Sequence, residues 1–164
     1  MDFTKKKLFI SSVTILISYL IDRLNKYFFI NEIGINERSI IEVTPFLDVV
    51  LVWNKGISYG LFQQENTIGQ IILTMCSCLI CIFIITWIFK AKNILLYIPL
   101  SLIVGGALSN ITDRLLFGAV ADFYYLHAYG YSWYVFNLAD VFIVFGVFVL
   151  ILINFYPRIA NNFE

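Results

Sequence analysis

Four long apolar segments constrain this chain more than any other feature. They cover residues 8–30, 68–89, 94–116 and 134–156. Each exceeds the roughly 20 residues that a helix needs to cross a hydrocarbon core. Only 13% of the residues are charged, whereas soluble domains carry about 25%. The sequence therefore predicts a membrane all-α fold with four transmembrane helices, organised as a single domain over residues 1–164.

The first apolar segment follows three lysines at residues 5–7, and this order is also typical of a cleaved signal peptide. However, no A-x-A-like cleavage site follows the segment. It continues instead into Asp22, Arg23 and Lys26 and then resumes as an apolar run. We therefore interpret it as a retained transmembrane helix with a polar end.

The distribution of lysine and arginine predicts how the helices are oriented. Basic residues occur at residues 5–7, at Lys90 and Lys92, and at Arg158. With four spans, these positions share one side of the membrane. An excess of lysine and arginine in short flanks marks the cytoplasmic side. We therefore expect both termini to be cytoplasmic and the two longer connections to lie outside.

Polar residues gather at the predicted outer ends of three helices. They are Asp22 and Lys26 in the first, Asn110, Asp113 and Arg114 in the third, and Asn137 and Asp140 in the fourth. Spacings of three and four residues place each group on one helical face. Asp122 lies in the outer connection between the third and fourth helices. Because ionisable groups are costly in a bilayer, their presence at this depth indicates a functional site near the outer leaflet.

The two outer connections are too polar to cross the membrane. Within residues 31–67, runs at 39–43 and 49–53 predict two short strands or one hairpin. The turn signal that follows ends at Gly56, which would let a backbone approach a ligand closely. Residues 117–133 are rich in tyrosine and tryptophan. This composition is compatible with an interfacial aromatic belt, with a flap over the site, or with both.

Asp122 and Asp140 are the residues that we expect to carry the chemistry. Two carboxyl groups in a site of low dielectric constant cannot both ionise easily, so one keeps its proton. Such a pair can deprotonate a water molecule and protonate a carbonyl oxygen or a leaving amine, as peptide hydrolysis requires. Alternatively, one or both aspartates cap helices or pair with Arg114, or they serve transport.

Two further pairs of charges are interpreted as structural. Asp113 precedes Arg114, and we expect it to orient the guanidinium group or to be held by it. Asp22 and Lys26 are four residues apart, a spacing that allows an ion pair along one helix.

Other chemistries receive little support from the sequence. Cys76, Cys78 and Cys81 have ligand-like spacing, but no fourth ligand lies nearby, and we interpret them as small hydrophobic residues. His127 is the only histidine, so zinc proteolysis is unsupported. No G-x-S-x-G motif is present. The net charge of zero gives no support for nucleic-acid binding.

Five short motifs in order resemble the lipoprotein signal peptidases (signal peptidase II), a family of bacterial membrane aspartic endopeptidases. The motifs are D-x-x-x-K at residues 22–26, N-x-G at 54–56, G-G-A-x-x-N-x-x-D-R at 105–114, V-x-D-F at 120–123 and N-x-A-D at 137–140. Each motif alone is weak. Their common order in a chain with four predicted spans is highly specific, and the match covers nearly the whole chain.

The resemblance implies cleavage of prolipoproteins on the N-terminal side of a diacylglyceryl-modified cysteine, with Asp122 and Asp140 as the catalytic dyad. It also implies that eight further residues line or brace the pocket: Asp22, Lys26, Asn54, Gly56, Asn110, Asp113, Arg114 and Asn137. An outer β-cradle, a flap, the bacterial cytoplasmic (inner) membrane and membrane lipids as surroundings are further implications. We expect no cofactor, no metal and no nucleic-acid partner, and we expect a monomer.

The chain departs from the usual family pattern at several positions, namely Arg23, Asn25, Ser58, Tyr59 and Ser109. These changes affect the expected pocket shape more than the expected reaction. The alternative function is a small proton-coupled transporter that uses the same carboxylates as a relay. A transporter should place its ionisable groups near the midplane of the membrane, whereas here they are predicted at one interface.

Overall fold

The computed structural model describes residues 3–56 and 67–156, and within these ranges four helices are long and apolar enough to cross a membrane. The helices are α1 (Phe3–Tyr27), α2 (Thr67–Lys90), α3 (Ile94–Phe117) and α4 (Leu138–Phe155). A π-helical turn, Phe28–Glu32, extends α1. The fold class predicted from the sequence, four membrane helices with a small β-sheet, is thereby confirmed.

The helix boundaries differ from the predicted ranges mainly in α1 and α4. Helix α1 begins at Phe3, before the apolar segment itself. Helix α4 begins at Leu138, four residues later than predicted, because the side chain of Asn137 caps it. The Asn137 Oδ1 atom accepts a hydrogen bond from the backbone nitrogen of Asp140 at 2.9 Å. Hydrophobicity could not locate this boundary, since residues 134–136 are also apolar.

Helix α3 packs against each of the other three helices and is the most buried of them. Small residues allow the close approach of neighbouring backbones. Gly105 lies directly against Ser18 of α1, and Gly106 faces the carbonyl oxygen of Ala139 in α4. A β-carbon at Gly106 would lie only 2.5 Å from that oxygen. The glycine therefore sets how closely α3 approaches the first turn of α4.

At one end of the bundle, Lys7 joins α1 to the end of α2. This residue of α1 is buried, and its Nζ donates hydrogen bonds to the carbonyl oxygens of Phe89 at 2.7 Å and Ala91 at 3.0 Å. A cation at the C terminus of a helix satisfies free carbonyl groups and complements the helix dipole. The N-terminal part of α1 is therefore joined to the end of α2.

A four-stranded antiparallel sheet lies at the opposite end of the bundle. Its strands are β1 (Ile40–Thr44), β2 (Leu47–Asn54), β3 (Val120–Ala128) and β4 (Tyr131–Ser132), in that spatial order. Strands β1 and β2 form the hairpin that was predicted from the runs at residues 39–43 and 49–53. An irregularity between Val49 and Val52 adjusts the register, so that Val52 pairs with Asp122. The buried core of the sheet consists of Ile35, Val49, Leu51, Ala121 and Phe123.

Residues 117–133, predicted as an aromatic flap or belt, are mostly strand. Because β3 pairs along β2, Asp122 lies inside the sheet and not in a free connection. The hairpin turns at Tyr129 and Gly130, where φ is 51° and 81°. Tyr129 is fully exposed at the tip. The strand was missed because its tyrosines were assigned to the membrane interface, although a run with Val120 and the consecutive aromatic residues 123–125 between two glycines also favours a strand.

Candidate active site

Asp122 and Asp140, the residues predicted to carry the chemistry, line one cavity of about 150 Å³. Asp122 comes from β3, and Asp140 comes from the first turn of α4. The same cavity is lined by Asn54 of β2, Ser77 of α2, and Asn110 and Arg114 of α3. Side chains from five elements that are distant in sequence therefore meet at the sheet end of the bundle.

Asn137 connects the two aspartates. Its backbone nitrogen donates to Asp140 Oδ2 at 3.3 Å while its Oδ1 accepts from the Asp140 backbone nitrogen, so the two residues form a capping box. Its Nδ2 donates to Asp122 Oδ1 at 2.6 Å and to Asn110 Oδ1 at 3.1 Å. Asn137 is completely buried. This one side chain therefore holds both carboxyl groups in a fixed relation to the start of α4.

The environment of Asp122 favours a carboxyl group that titrates near neutrality. Asp122 is buried, and it accepts a second hydrogen bond from Asn54 Nδ2 at 3.1 Å. Burial, followed by the charge of Asp140, raises the pKa of Asp122 to about 7, although the hydrogen bonds from Asn54 and Asn137 act in the opposite direction. This carboxyl group therefore holds its proton at a higher pH than an ordinary aspartate does. A group with such a pKa can exchange protons in either direction during a reaction.

Next to the cavity lies a group of opposite charges, which we call the charge cluster: Asp22, Arg23, Lys26 and Asp113. The Lys26 Nζ lies 2.8 Å from Asp22 Oδ2, as the spacing of four residues predicted, and 2.6 Å from Asp113 Oδ2. It also donates to Asn110 Oδ1 at 3.1 Å. Asn110 Nδ2 in turn donates to Asp140 Oδ1 at 3.0 Å. One carboxamide therefore joins the charge cluster to the aspartates.

The predicted pairing of Asp113 with Arg114 is wrong. Asp113 forms ion pairs with Arg23 through Oδ1 and with Lys26 through Oδ2. Successive residues of a helix point about 100° apart. Asp113 therefore faces α1 in the interior, while Arg114 faces the cavity and the turn after β2. The two residues are adjacent in sequence but serve different parts of the site.

Arg114 and Asn54 hold the turn that follows β2. The Arg114 Nη2 donates to the carbonyl oxygen of Gly56 at 2.9 Å, and Asn54 Oδ1 accepts from the Gly56 backbone nitrogen at 2.9 Å. Gly56 is buried, and its backbone is held by these two side chains. A close approach of this backbone to a ligand stays a prediction. Because Asn54 uses its oxygen for the turn, its Nδ2 is directed to Asp122. Among residues 3–56 and 67–156, the buried Arg114 Nε has no hydrogen-bond partner.

Asp22 lies outside the cavity and positions the first turn of α4. Its Oδ1 accepts from the backbone nitrogen of Ala139 at 2.9 Å, and its Oδ2 accepts from Ser109 Oγ at 2.6 Å. A carboxylate at the N terminus of a helix is favourable because it satisfies free N–H groups. Since Ala139 immediately precedes Asp140, Asp22 braces the site without lining the cavity.

A comparison with protein families agrees with this geometry. The model of the family described as Signal peptidase (SPase) II matches residues 14–156. The chain belongs to the signal peptidase II family. This is an aspartic-type protease family that cleaves the signal peptides of prolipoproteins. The resemblance seen in the five sequence motifs is therefore confirmed.

Relatives of this signal peptidase II family member support the same assignment. A protein of Methylobacterium radiotolerans named lipoprotein signal peptidase is 54% identical over 115 residues, which cover 70% of this chain and 67% of that protein. A protein of Pelagibacter ubique with the same name is 40% identical over 151 residues, which cover 92% and 90% of the two chains. The similarity to the second protein thus extends over nearly the whole length of both.

Two solved structures share the fold of this family member. One is described as a bacterial membrane enzyme determined by the in meso method at 2.3 Å resolution. It superposes with a TM-score of 0.79 at 26% identity, covering 94% of this chain and 92% of the other. A second structure with the same description, at 1.9 Å resolution, gives a TM-score of 0.74 at 27% identity and covers 87% and 90%.

Two grooves adjoin the cavity of this family member. The first has a volume of about 420 Å³, runs beside Asp140, and is lined mainly by apolar residues of α4 and of the β3–α4 region, among them Trp133, Phe136, Val144 and Phe148. The second has a volume of about 580 Å³, adjoins Arg114, and is lined by residues of α2 and α3 with Lys55 at its rim. The cavity shares Asp140 with the first groove and Arg114 with the second.

The cysteines and the histidine lie outside this arrangement. Cys76 is exposed, Cys78 is half-buried and Cys81 is buried, so the three thiols face different directions around α2. Among residues 3–56 and 67–156, no group of three or more His, Cys, Asp or Glu side chains could hold a metal ion. His127 lies on β3, where its Nε2 is 3.0 Å from Asp48 Oδ2.

Arg23, Asn25 and Ser109, which depart from the usual family pattern, also make contacts at the site. Arg23 pairs with Asp113, and Ser109 donates to Asp22. Asn25 Nδ2 donates to Tyr124 Oη at 2.8 Å and so ties α1 to β3. The position of Arg23 beside Asp22 and three residues before Lys26 was the available signal for its role. Ser58 and Tyr59 lie outside the described residues.

Proposed function

We propose that this chain is a membrane aspartic endopeptidase that removes the signal peptide of prolipoproteins on the N-terminal side of a diacylglyceryl-modified cysteine. The observation that carries the proposal is the convergence of Asp122 and Asp140 on one cavity, with Asn137 bonded to both. The family assignment supplies the reaction class. Of the ten predicted site residues, the two aspartates carry out the reaction. The other eight position the aspartates or the substrate: Asp22, Lys26, Asn54, Gly56, Asn110, Asp113, Arg114 and Asn137.

The proposed reaction needs one proton on the pair of aspartates. The ionised carboxylate takes a proton from a water molecule as the water oxygen bonds to the scissile carbonyl carbon. The protonated carboxyl group gives its proton to the carbonyl oxygen, and a tetrahedral intermediate forms. When the C–N bond breaks, the amine of the cysteine takes the proton of one carboxyl group. The other carboxylate takes a proton from a hydroxyl group of the intermediate as the carbonyl group re-forms, so the pair again holds one proton. The pKa of about 7 for Asp122 supports a pair that holds one proton at neutral pH.

The groove beside Asp140 supports a substrate that carries apolar chains. It is wide, open and mostly apolar, and it reaches a residue of the proposed dyad. A lipid-anchored peptide that diffuses in the membrane could place its acyl chains against these residues and its scissile bond in the cavity. Such anchoring supplies binding energy and orientation, both of which lower the barrier of the chemical step.

The decisive experiment compares two forms of one precursor. The purified protein should cleave a diacylglyceryl-modified prolipoprotein peptide and release its signal peptide, as detected by mass spectrometry. The same peptide without the diacylglyceryl group should be cleaved far more slowly, because it lacks the anchoring chains. Absence of cleavage of the modified peptide would overturn the proposed function. Equal rates for the two forms would overturn lipid recognition but not the protease.

The proposed location is the bacterial inner membrane, with both termini cytoplasmic and the site near the outer leaflet. The support is that Lys7, Lys90 and Lys92 lie at one end of the bundle, whereas the aspartates and the sheet lie at the other. Arg158 falls outside the described residues. Reporter fusions at Gly130 and after the last residue test this orientation. An outward C terminus would reverse the proposed map.

The transporter alternative is not supported. The relatives of the chain are named lipoprotein signal peptidase, and the family match is to a peptidase. The buried aspartates and Lys26 also lie at one end of the bundle, whereas a proton relay between two aqueous phases needs ionisable groups at the midplane.

A further inference from the structure

We infer that Arg23 is a positioning residue of the reaction: acting through Asp113, it keeps the charge cluster beside the dyad electrically neutral and thereby sets the pH range of activity. The inference rests on the proposed function, because it needs Asp122 and Asp140 to be the reacting groups. It concerns a residue that neither lines the cavity nor touches either aspartate of the dyad.

The first observation is the balance of charges. Asp22, Lys26 and Asp113 are completely or almost completely buried, whereas the side chain of Arg23 is 21% exposed. The three buried residues alone carry two negative charges and one positive charge. The positive charge of Arg23, which forms an ion pair with Asp113, brings the net charge of the cluster to zero. Ionised groups are stable in the interior only when they are paired, so Arg23 supplies the missing charge from the edge of the bundle.

The second observation is the pair of routes that lead from Asp113 to the dyad. Asp113 Oδ2 contacts Lys26, which reaches Asp140 through Asn110. The same Oδ2 accepts from the backbone nitrogen of Ala121 at 3.1 Å, directly before Asp122. A change in charge at Asp113 is therefore felt by both aspartates. Little water lies between them to screen it, because the intervening groups are buried.

The charged and titratable groups around this region come from four elements. They are Asp22, Arg23 and Lys26 from α1, Asp113 and Arg114 from α3, Asp122 and Tyr124 from β3, and Asp140 from α4. Arg114 faces the cavity and is not part of the cluster's ion pairs. If Arg23 is neutralised, the cluster gains a net negative charge. The surroundings of the dyad are then more negative, and a negative charge nearby stabilises protonated carboxyl groups. The doubly protonated dyad therefore loses its first proton, and becomes active, only at higher pH.

The experiment measures kcat/KM against pH for purified variants acting on the diacylglyceryl-modified precursor. In Arg23→Gln, the acidic limb of the profile should shift to higher pH by about half a unit. A shift of this size is expected when a unit charge is removed at a distance of a few hydrogen bonds from the dyad. The rate on the acidic side should then fall by about threefold. Arg23→Lys keeps the charge and should leave the limb in place. Arg38→Gln, which removes an exposed cation before β1, should also leave the limb in place.

A double variant separates charge from structure. Asp113→Asn alone leaves a net positive cluster and should move the limb downward, whereas Arg23→Gln combined with Asp113→Asn restores neutrality and should return the limb to the wild-type pH, whatever its kcat. This comparison also serves if Arg23→Gln alone does not fold. An unmoved limb in Arg23→Gln, an equal shift in Arg23→Lys, or no return in the double variant would overturn the inference while wild-type cleavage still upheld the proposed function. Failure of the wild type to cleave would overturn both.

Discussion

Asn137 and Asp140 cap each other at the start of α4: each side chain accepts a hydrogen bond from the other's backbone nitrogen, at 2.9 Å and 3.3 Å. The carboxyl group that we propose as catalytic is therefore also part of the helix terminus. Its position is determined by the same hydrogen bonds that begin the helix. Because Asn137 also donates to Asp122, the geometry of the dyad and the stability of α4 depend on common contacts.

Asp122→Asn and Asp140→Asn should each remove nearly all turnover, by about a thousandfold or more, because asparagine cannot exchange a proton near neutral pH. The double variant should be little worse than either single variant, since the two residues act as a unit. Only Asp140→Asn should also lower the melting temperature through the capping box. Cleavage assays and thermal unfolding of the same preparations measure both effects. A well-folded single variant with near-normal cleavage would refute the aspartic mechanism.

The raised pKa of Asp122 predicts a dependence of stability on pH. Between the ordinary carboxyl pKa of 3.8 and the folded value of about 7, the folded protein binds more protons than the unfolded chain. The contribution to stability is therefore fully present below the lower value and is lost as the pH rises through the upper one. The melting temperature of the wild type should fall between about pH 4 and pH 7 relative to that of Asp122→Asn. Parallel curves for the two proteins would contradict the assigned pKa.

Asp113→Asn should act mainly on the packing of α1 against α3 and β3. The substitution removes one charge partner from both Lys26 and Arg23 and weakens the acceptor for the Ala121 backbone nitrogen. Breaking buried ion pairs typically costs about 3 kcal/mol or more. We expect a clearly lower melting temperature and lower activity per folded molecule. Unchanged stability would show that the charge cluster does not hold these elements together.

The four helices and the β1–β2 hairpin could be predicted from the sequence, because each depends on a local pattern. The sequence also indicated that Asp122 and Asp140 lie at one site, whereas their catalytic role stays a prediction. Apolar length determined the spans, and the cost of charges in a membrane directed attention to Asp122 and Asp140. Strand β3 escaped prediction because aromatic residues are equally typical of a membrane interface and of a strand. Its pairing with β2 is a contact between segments about 70 residues apart, which no local pattern contains.

The partner of Asp113 could not be predicted for a related reason. Adjacency to Arg114 suggested a pair, but helical geometry separates neighbouring side chains, and the actual partners lie on α1. The choice between these partners depends on which faces of α1 and α3 meet. That choice follows from the glycines at the contact, where Gly105 admits Ser18. Only the assembled structure shows this.

Replacing Cys76, Cys78 and Cys81 together by alanine should leave most activity intact. The three thiols differ in burial around α2, and the interpretation as small hydrophobic residues requires none of them in the reaction. Cys81 is buried, so a modest loss of stability is expected from the smaller side chain. Cleavage of the modified precursor by the triple variant measures this. A loss of activity that added metal reversed would show that the cysteines form a ligand set.

Gly106→Ala and Gly146→Ala form a matched pair that separates packing from catalysis. A β-carbon would meet the carbonyl oxygen of Ala139 at 2.5 Å in the first case and that of Pro99 at 2.6 Å in the second. Overpacking of this kind typically costs about 1–3 kcal/mol, so both variants should melt at lower temperature.

The two variants should differ in activity because the clashes occur at different heights along the α3–α4 contact. The Gly106 clash displaces the first turn of α4, which carries Asp140, whereas Gly146 lies nearly two turns further along the helix. A displacement of about 1 Å at the reacting groups can cost about a hundredfold in rate. We therefore expect Gly106→Ala to lose far more kcat than Gly146→Ala at equal folded concentration. Equal losses of kcat would indicate that the first turn of α4 adjusts freely, and that the close contact of Gly106 with Ala139 does not position Asp140.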